Sequence, residues 1–276
     1  MYFWKMNGAG NDFIIFNNLE VQLPIEEYCE ITREVCERHM SVGADGTMVV
    51  DKAISADADF KMTYINSDGT IGEMCGNGAR CICRYGYETG LSGKEQRIEV
   101  TSGVVTGTRI DESNYRIRLT DVTTLKLDYP IVIDGKTYEN SYVELGDPGI
   151  PHAVVPIEGL SDFDENELFV LGRKMRYSTA FYKGANINFY EIIGEDEIIE
   201  KTYERGVEAF TYACGTGTGS MVAVLTKKGF VSGKNVKVIV RGGTLYVDVI
   251  QNAEGEITNL MLTGPTKIVC KGDLIM

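Results

Sequence analysis

Two cysteines head near-copies of one short motif. The first copy is Glu73-Met74-Cys75-Gly76-Asn77-Gly78-Ala79-Arg80 and the second is Ala213-Cys214-Gly215-Thr216-Gly217-Thr218-Gly219. In each, an apolar or β-prone stretch runs into Cys-Gly-x-Gly and a stretch containing Ala, Val or Leu follows, so each thiol is expected where a turn opens a helix. A helix N-terminus carries free backbone N–H groups and partial positive charge, which lowers a thiol pKa and binds an anion such as a carboxylate. Two such ends facing one another would grip a carboxylate while one sulfur removes a proton and the other returns it. That chemistry is inversion at carbon.

The elements that must hold these thiols are legible in part. Four segments read as helices: Ile25 to His39, Gly76 to Thr89, Asp162 to Met175 and Gly215 to Lys228. Two of them begin at the repeated motif. Strands are predicted over 47–50, 60–66, 97–101, 104–110, 115–119, 131–133, 137–145, 153–156, 186–193, 236–241, 244–250 and 260–263, with Asp134-Gly135 and Gly242-Gly243 as hairpin turns. Many strands with one central helix per half predict an α/β (α+β) fold of two pseudo-symmetric domains. Each would be a mostly antiparallel sheet curled around its helix, with the active site in the cleft between them. The expected domains are 1–124, carrying Cys75, and 125–266, carrying Cys214, with a terminal strand within 267–276 returning to the first.

A chain of 276 residues is long for one core, consistent with two halves, and 43% hydrophobic with 24% charged residues is ordinary for a globular protein. The formal charge of −13 excludes nucleic acid as an expected partner, because phosphate binding needs concentrated Lys and Arg. No apolar run reaches membrane-spanning length and the start lacks a leader-like pattern, so the expectation is a cytoplasmic protein. Seven cysteines without paired C-x-x-C spacing suit reduced thiols better than a disulfide scaffold, and no structural metal is expected. Cys29, Cys36, Cys81, Cys83 and Cys270 read as packing thiols.

Of the two histidines, His39 is explained by a favourable charge at a helix end, whereas His152 follows Gly149-Ile150-Pro151 in a turn after a strand, where loops commonly carry function. Glu204-Arg205-Gly206 lies ahead of the second thiol. Taken alone it is a solvated pair, but a buried Arg can hold a carboxylate in bidentate fashion and Glu can hold an ammonium group. Asn11, Asn66, Asn77 and Asn186 sit in turn-like or strand-edge positions where Asn is common.

At these residues the chain resembles the diaminopimelate epimerases, the pyridoxal-independent two-thiol enzymes of lysine and peptidoglycan biosynthesis. The resemblance spans almost the whole length. Lys5-Met6-Asn7-Gly8-Ala9-Gly10-Asn11-Asp12-Phe13 is similar to the family's opening motif. Arg38-His39 with Val42-Gly43-Ala44-Asp45-Gly46 is similar to its second, and Asn66-Ser67-Asp68-Gly69 through Arg80 to its first-thiol motif. Gly149-Ile150-Pro151-His152, Asn186-Ile187-Asn188-Phe189, Tyr203-Glu204-Arg205-Gly206 and Ala213-Cys214-Gly215-Thr216-Gly217 follow in family order.

The resemblance implies that Cys75 and Cys214 are the base and acid pair and that Gly76-Asn77 and Gly215-Thr216 bind the reacting carboxylate. It implies Glu204 and His152 near the reacting amino group, and Asn11, Asn66, Asn186 and Arg205 around the rest of the substrate. It further implies a small amino acid substrate, no cofactor and a homodimer. Three positions depart from the pattern. Asn7 replaces the usual His, Ile150 stands where many relatives have Asn, and the run Gly206-Val207-Glu208-Ala209-Phe210-Thr211-Tyr212 is one residue longer. These leave the thiol pair intact and bear on the distal pocket, so racemisation of another amino acid, histidine for example, by the same thiols is the nearest alternative. A non-catalytic carboxylate-binding protein is the alternative from another class.

Overall fold

The computed structural model describes residues 1–72 and 76–275, and the first candidate thiol, Cys75, lies outside the described residues with Glu73 and Met74. The chain divides into two compact units, Met1–Ile117 with Gly264–Met276, and Arg118–Thr263. In the first unit the elements are β1 (Tyr2–Gly8), β2 (Asn11–Asn17), α1 (Asn18–Val21), α2 (Ile25–Val35), β3 (Gly46–Asp51), β4 (Phe60–Asn66), α3 (Gly76–Glu88), β5 (Glu95–Val100), β6 (Gly103–Arg109) and β7 (Asn114–Arg118). The second contains β8 (Val122–Lys126), β9 (Ile131–Ile133), β10 (Lys136–Tyr138), β11 (Ser141–Leu145), β12 (Ile150–Pro156), α4 (Glu165–Arg176), β13 (Asn186–Gly194), β14 (Glu197–Glu204), β15 (Ala209–Phe210), α5 (Gly215–Lys227), β16 (Val236–Val240), β17 (Gly243–Gln251) and β18 (Ile257–Pro265). The last strand, β19 (Lys267–Asp273), pairs with β1 and so belongs to the first unit.

Strand pairing shows the duplication directly. Among the described residues, the first unit runs β19-β1-β2-β3-β4-β5-β6-β7, and the second runs β8-β11-β12-β13-β14-β16-β17-β18. Read along either series, the orientations are antiparallel, antiparallel, parallel, antiparallel, parallel, antiparallel, antiparallel. Each parallel pair needs a crossover, and the same helix supplies it in both units. Helices α2 and α4 make the first crossover, and α3 and α5 the second. This is the expected α/β fold of repeated, mostly antiparallel units.

The central helix of each unit is buried nearly all round, which forces small residues where strands come close. In α3, a Cβ on Gly86 would meet the Phe60 ring at 2.7 Å, and one on Gly8 of β1 would meet the Asn77 carbonyl oxygen at 2.7 Å. The outer helices instead lay one face on the sheet. Tyr28 and Val35 of α2 pack with Ile14, Phe16 and Val49, while Leu168 and Met175 of α4 pack with Phe189 and Tyr203. Helix α4 is capped by the Asp164 carboxylate, which accepts from the N–H groups of Asn166 and Glu167, each at 2.9 Å.

Several boundaries differ from the sequence expectation for identifiable reasons. Helix α2 stops at Val35 rather than His39, because His39 takes a left-handed φ of 75°, and Gly43 and Ala44 return to bond the carbonyls of Val35 and Cys36. Strands β1 and β2 escape a sequence reading because their two-residue turn is Ala9-Gly10, with alanine at φ 55°. The predicted strand 137–145 is divided into β10 and β11. The Asp134-Gly135 turn is present, with both φ values positive, whereas the other hairpin turns at Arg241-Gly242, one residue before the expected Gly242-Gly243. Cys36, Cys81 and Cys83 are buried as expected, but Cys29 is half-buried and Cys270 is exposed on β19.

Candidate active site

In the first unit, the β1–β2 turn and the start of α3 bring Asn11, Gly76 and Asn77 together. The turn is closed by Asn7, whose Oδ1 accepts from the Gly10 N–H at 3.1 Å. Arg80, with its side chain fully buried, donates to Asn77 Oδ1 at 2.8 Å and to the Gly76 carbonyl at 3.3 Å. Because Arg can only donate, Asn77 must present its Nδ2 onward, and it does so to Asn11 Oδ1 at 2.6 Å. Asn11 Nδ2 then donates to Asp45 Oδ2 at 3.0 Å. Every amide in this line is therefore fixed in one orientation by a pure donor at one end and a carboxylate at the other.

The carboxylate end is itself clamped. Arg38 Nη2 bridges Asp12 Oδ1 at 2.7 Å and Asp45 Oδ1 at 2.8 Å, and Lys5 meets Asp12 Oδ2 at 3.0 Å. Burial alone would raise the Asp12 pKa, but the bonds and charges of Arg38 and Lys5 outweigh it and hold the carboxyl below its usual value. Asn66 takes a different part. Its side chain donates to Thr70 Oγ1 at 3.0 Å and its backbone closes the Asn66–Thr70 loop, while Gly72 lies directly against its amide.

In the second unit, α5 begins at Gly215 with Cys214 in the N-cap position, as the motif predicted. The Cys214 side chain is buried, and Thr216 Oγ1 lies 3.7 Å from its sulfur. Burial and the charges of Glu204 and Glu200 push the thiol well above its ordinary pKa, while the Gly217 N–H and the Thr216 hydroxyl pull the other way without overcoming them. Cys214 is thus a protonated thiol at rest.

His152 points at the same cluster from β12. Its neighbour Asn188 donates Nδ2 to the Ala153 carbonyl at 3.0 Å, and a carbonyl can only accept, so Nδ2 is also the group that faces His152 Nδ1 at 3.2 Å. His152 Nδ1 is therefore unprotonated. The proton lies on Nε2, which donates to Thr216 Oγ1 at 3.1 Å. Full burial, with the nearby charge of Arg205, pushes the imidazole down to about 3, so it is neutral throughout the physiological range. A line of donors therefore runs from Asn188 through His152 to Thr216, whose hydroxyl keeps a proton to offer the Cys214 sulfur when that sulfur is ionised.

Asn186 opens β13 in register with His152 on β12. Its Oδ1 accepts from the Arg205 N–H at 2.8 Å, which fixes the chain just after β14, and Arg205 Nη1 donates to the Lys183 carbonyl at 2.9 Å. Glu204 ends β14 and contributes its charge to the Cys214 environment. The structure thus gathers His152, Glu204, Cys214 and Thr216 around one sulfur, with Asn186 and Arg205 beside them. Glycine at 217 is required there, since a Cβ would come within 2.1 Å of Asn188 Oδ1.

Sequence reasoning assigned no role to Asp45, Arg80, Asn188, Thr202 or Thr218. Asp45, Arg80, Asn188 and Thr218 fall inside motifs already singled out, so position was a usable signal for them. Thr202 is reached only through the pairing of β14 with β13.

A profile of the diaminopimelate epimerase family matches residues 3–124 and 146–269. The chain is 35% identical over 285 residues to the diaminopimelate epimerase of Aquifex aeolicus, covering 99% of this chain and 98% of that one. It is 36% identical over 262 residues to that of Archaeoglobus fulgidus, covering 91% and 90%. Among solved structures, it resembles a Bacillus anthracis phenazine biosynthesis protein of the PhzF family, with TM-score 0.75, 17% identity and coverage of 100% and 99%. It also resembles a probable proline racemase from Agrobacterium radiobacter K84, with TM-score 0.70, 15% identity and coverage of 100% and 93%. At those identities the structural likeness speaks to fold alone. The sequence matches extend over both halves and nearly the full length, and by them the chain belongs to the diaminopimelate epimerase family.

Proposed function

We propose that this chain, an isomerase by family, interconverts LL- and meso-diaminopimelate for lysine and peptidoglycan synthesis by passing a proton between Cys75 and Cys214, without metal or cofactor. The observation that carries the reading is Cys214, buried at the mouth of α5 with the Thr216 hydroxyl 3.7 Å from its sulfur. An amino acid α-proton is weakly acidic, so removal by a thiolate requires a second, protonated thiol on the opposite face of the carbon. In one direction Cys75 removes the proton and Cys214 returns one, and in the reverse direction the two exchange roles. The helix-opening N–H groups of Gly215 and Thr216, and of Gly76 and Asn77, receive the reacting carboxylate as negative charge develops. Glu204 takes the ammonium group, neutral His152 orders Thr216, and Asn11, Asn66, Asn186 and Arg205 hold the distal amino acid end.

The test is α-proton exchange followed by NMR in heavy water under reducing conditions, with LL- and meso-diaminopimelate beside a panel of amino acids including histidine. Exchange with inversion confined to diaminopimelate is expected. Exchange confined to another amino acid would keep the thiol chemistry and replace the substrate. That second reading is favoured by Ile150 and by the lengthened segment after Arg205, where Arg176 bonds Glu208 at 3.1 Å and Gly206 donates to the same oxygen at 3.0 Å. A cytoplasmic homodimer completes the proposal, and light scattering on the purified protein tests its dimeric state. Among the described residues no helix is long and apolar enough to cross a membrane.

A further inference from the structure

Behind the Cys214 cluster lies a carboxyl that the proton transfer does not use. Glu200 sits in β14, where alternate residues Ile198, Glu200 and Thr202 are all buried, and it is only 2% exposed. An apolar residue would suit that position, and a buried carboxyl is costly without partners. Its partners are hydroxyls: Thr218 Oγ1 of α5 lies 2.5 Å from Oε2, and Thr202 Oγ1 lies 3.4 Å from Oε1. Thr202 Oγ1 is also 3.1 Å from Asn188 Oδ1, the far side of the amide that orients His152.

A hydroxyl has one proton, and this makes the line two-state. When Thr202 donates to Asn188, its link to Glu200 needs a proton from the carboxyl. Every donor then points from Glu200 through Thr202, Asn188, His152 and Thr216 toward the Cys214 sulfur. When Glu200 is ionised, the Thr202 proton turns back to the carboxylate, Asn188 Oδ1 loses that donor, and a negative charge lies behind the buried thiol.

We propose that Glu200 is a positioning residue whose protonation state sets the ionisation of Cys214, a proton on the carboxyl favouring the thiolate and its loss favouring the thiol. The coupling acts through hydrogen bonds and charge, and no bond is made or broken between the two groups. It rests on the reading of Cys214 as an acid–base group. Burial pushes the Glu200 carboxyl up to about 7, against the bonds from Thr218 and Thr202, so both states are populated near neutrality. The surrounding titratable groups leave it that freedom. Tyr190, its cross-strand neighbour on β13, is pushed by burial to about 12, and His152 is neutral. Lys237 on the adjacent β16 pairs with Glu197 at 2.6 Å, and Glu204, at the end of the same strand, acts on Cys214 in the same sense as Glu200.

The experiment is the pH dependence of Cys214 alkylation by iodoacetamide in the full chain carrying Cys75→Ala, read on the Cys214 peptide by mass spectrometry between about pH 5 and 10. The expected profile has an inflection near pH 7 from Glu200. Glu200→Gln removes it and, above about pH 7 where the parent carboxyl is ionised, moves the thiol titration down by about half a unit, roughly threefold faster alkylation at a pH between about 7 and the thiol values. Thr218→Val keeps the carboxyl, removes the bond that holds its pKa down, and moves the inflection upward. A Glu200→Gln profile superimposable on its parent, or, should that variant not fold, an unmoved inflection in Thr218→Val, overturns the proposal. The readout needs no turnover. A shifted profile in a protein inactive on diaminopimelate leaves the coupling standing, and an unshifted profile in an active one removes the coupling alone.

Discussion

The imidazole Nε2 of His152 donates to the hydroxyl of Thr216 across 3.1 Å, and that hydroxyl, which keeps its own proton, lies 3.7 Å from the sulfur of Cys214. The histidine, fully buried and neutral, thus works through a threonine. Thr216→Val keeps the side-chain shape and removes the hydroxyl that lowers the Cys214 pKa. The thiol should titrate higher and the rate of α-proton exchange should fall by about ten- to a hundredfold, the range of one hydrogen bond to a charged group. The pH dependence of Cys214 alkylation distinguishes this from simple misfolding, because an unshifted profile would contradict the assignment.

Close packing between α5 and β13 makes a second prediction. Adding a methyl group through Gly217→Ala places a carbon 2.1 Å from Asn188 Oδ1, and the neighbour must move. A loss of about 1–3 kcal/mol in urea unfolding is expected. Combined with Asn188→Ala, which clears the space, the two substitutions should cost less than the sum of the singles. Strict additivity in that double-mutant cycle would show that the contact is not what matters.

In the first unit the amides run in one direction, Arg80 to Asn77 to Asn11 to Asp45. Asn77→Asp puts a carboxylate oxygen where a donor stood, opposite Asn11 Oδ1. If Asn11 turns to satisfy it, its oxygen then faces Asp45 instead. Either way two acceptors meet, and a cost of about 1–3 kcal/mol is expected. Asn11→Ala introduced into that variant should recover part of the loss, and thermal denaturation of the three proteins at one pH is sufficient to read it.

Two buried groups give stability opposite pH dependences. His152 has its folded pKa depressed to about 3, so below the ordinary value of 6.5 the unfolded chain binds a proton that the folded chain refuses. Stability therefore falls as pH drops from 6.5 toward 3, by on the order of 4 kcal/mol. Glu200 has its folded pKa raised from 4.5 to about 7, so the folded chain keeps a proton the unfolded chain has lost. Its contribution is present below 4.5 and falls as pH rises through 7, by on the order of 3 kcal/mol. Glu200→Gln should accordingly gain stability relative to the parent between about pH 5 and 8. Urea midpoints whose difference stays constant over that interval would count against a titrating Glu200.

The helices that follow the two thiol motifs, the two-unit organisation and the central position of α3 and α5 were legible because they rest on local signals. Glycine after cysteine, a helical run after the motif and alternating strands repeat in each half. Ends and interruptions were less legible. Helix α2 ends early because Gly43 and Ala44 reach back from a distant turn, and β14 escaped notice because Glu200, Lys201 and Glu204 make it look solvated although Glu200 faces the interior.

Sequence alone singled out the candidates for the chemistry: two thiols ahead of glycine-rich runs, a histidine after a Gly-Ile-Pro run, a Glu-Arg pair and a set of asparagines. Whether each is charged, and in which direction it donates, was decided by tertiary structure. Asn188 meets His152 and Thr202 through strand pairing between residues distant in sequence, and burial then sets the protonation of His152, Glu200 and Cys214. A side chain's identity fixes what it can give or accept. Its pKa depends on the desolvation and neighbours that only the folded chain supplies.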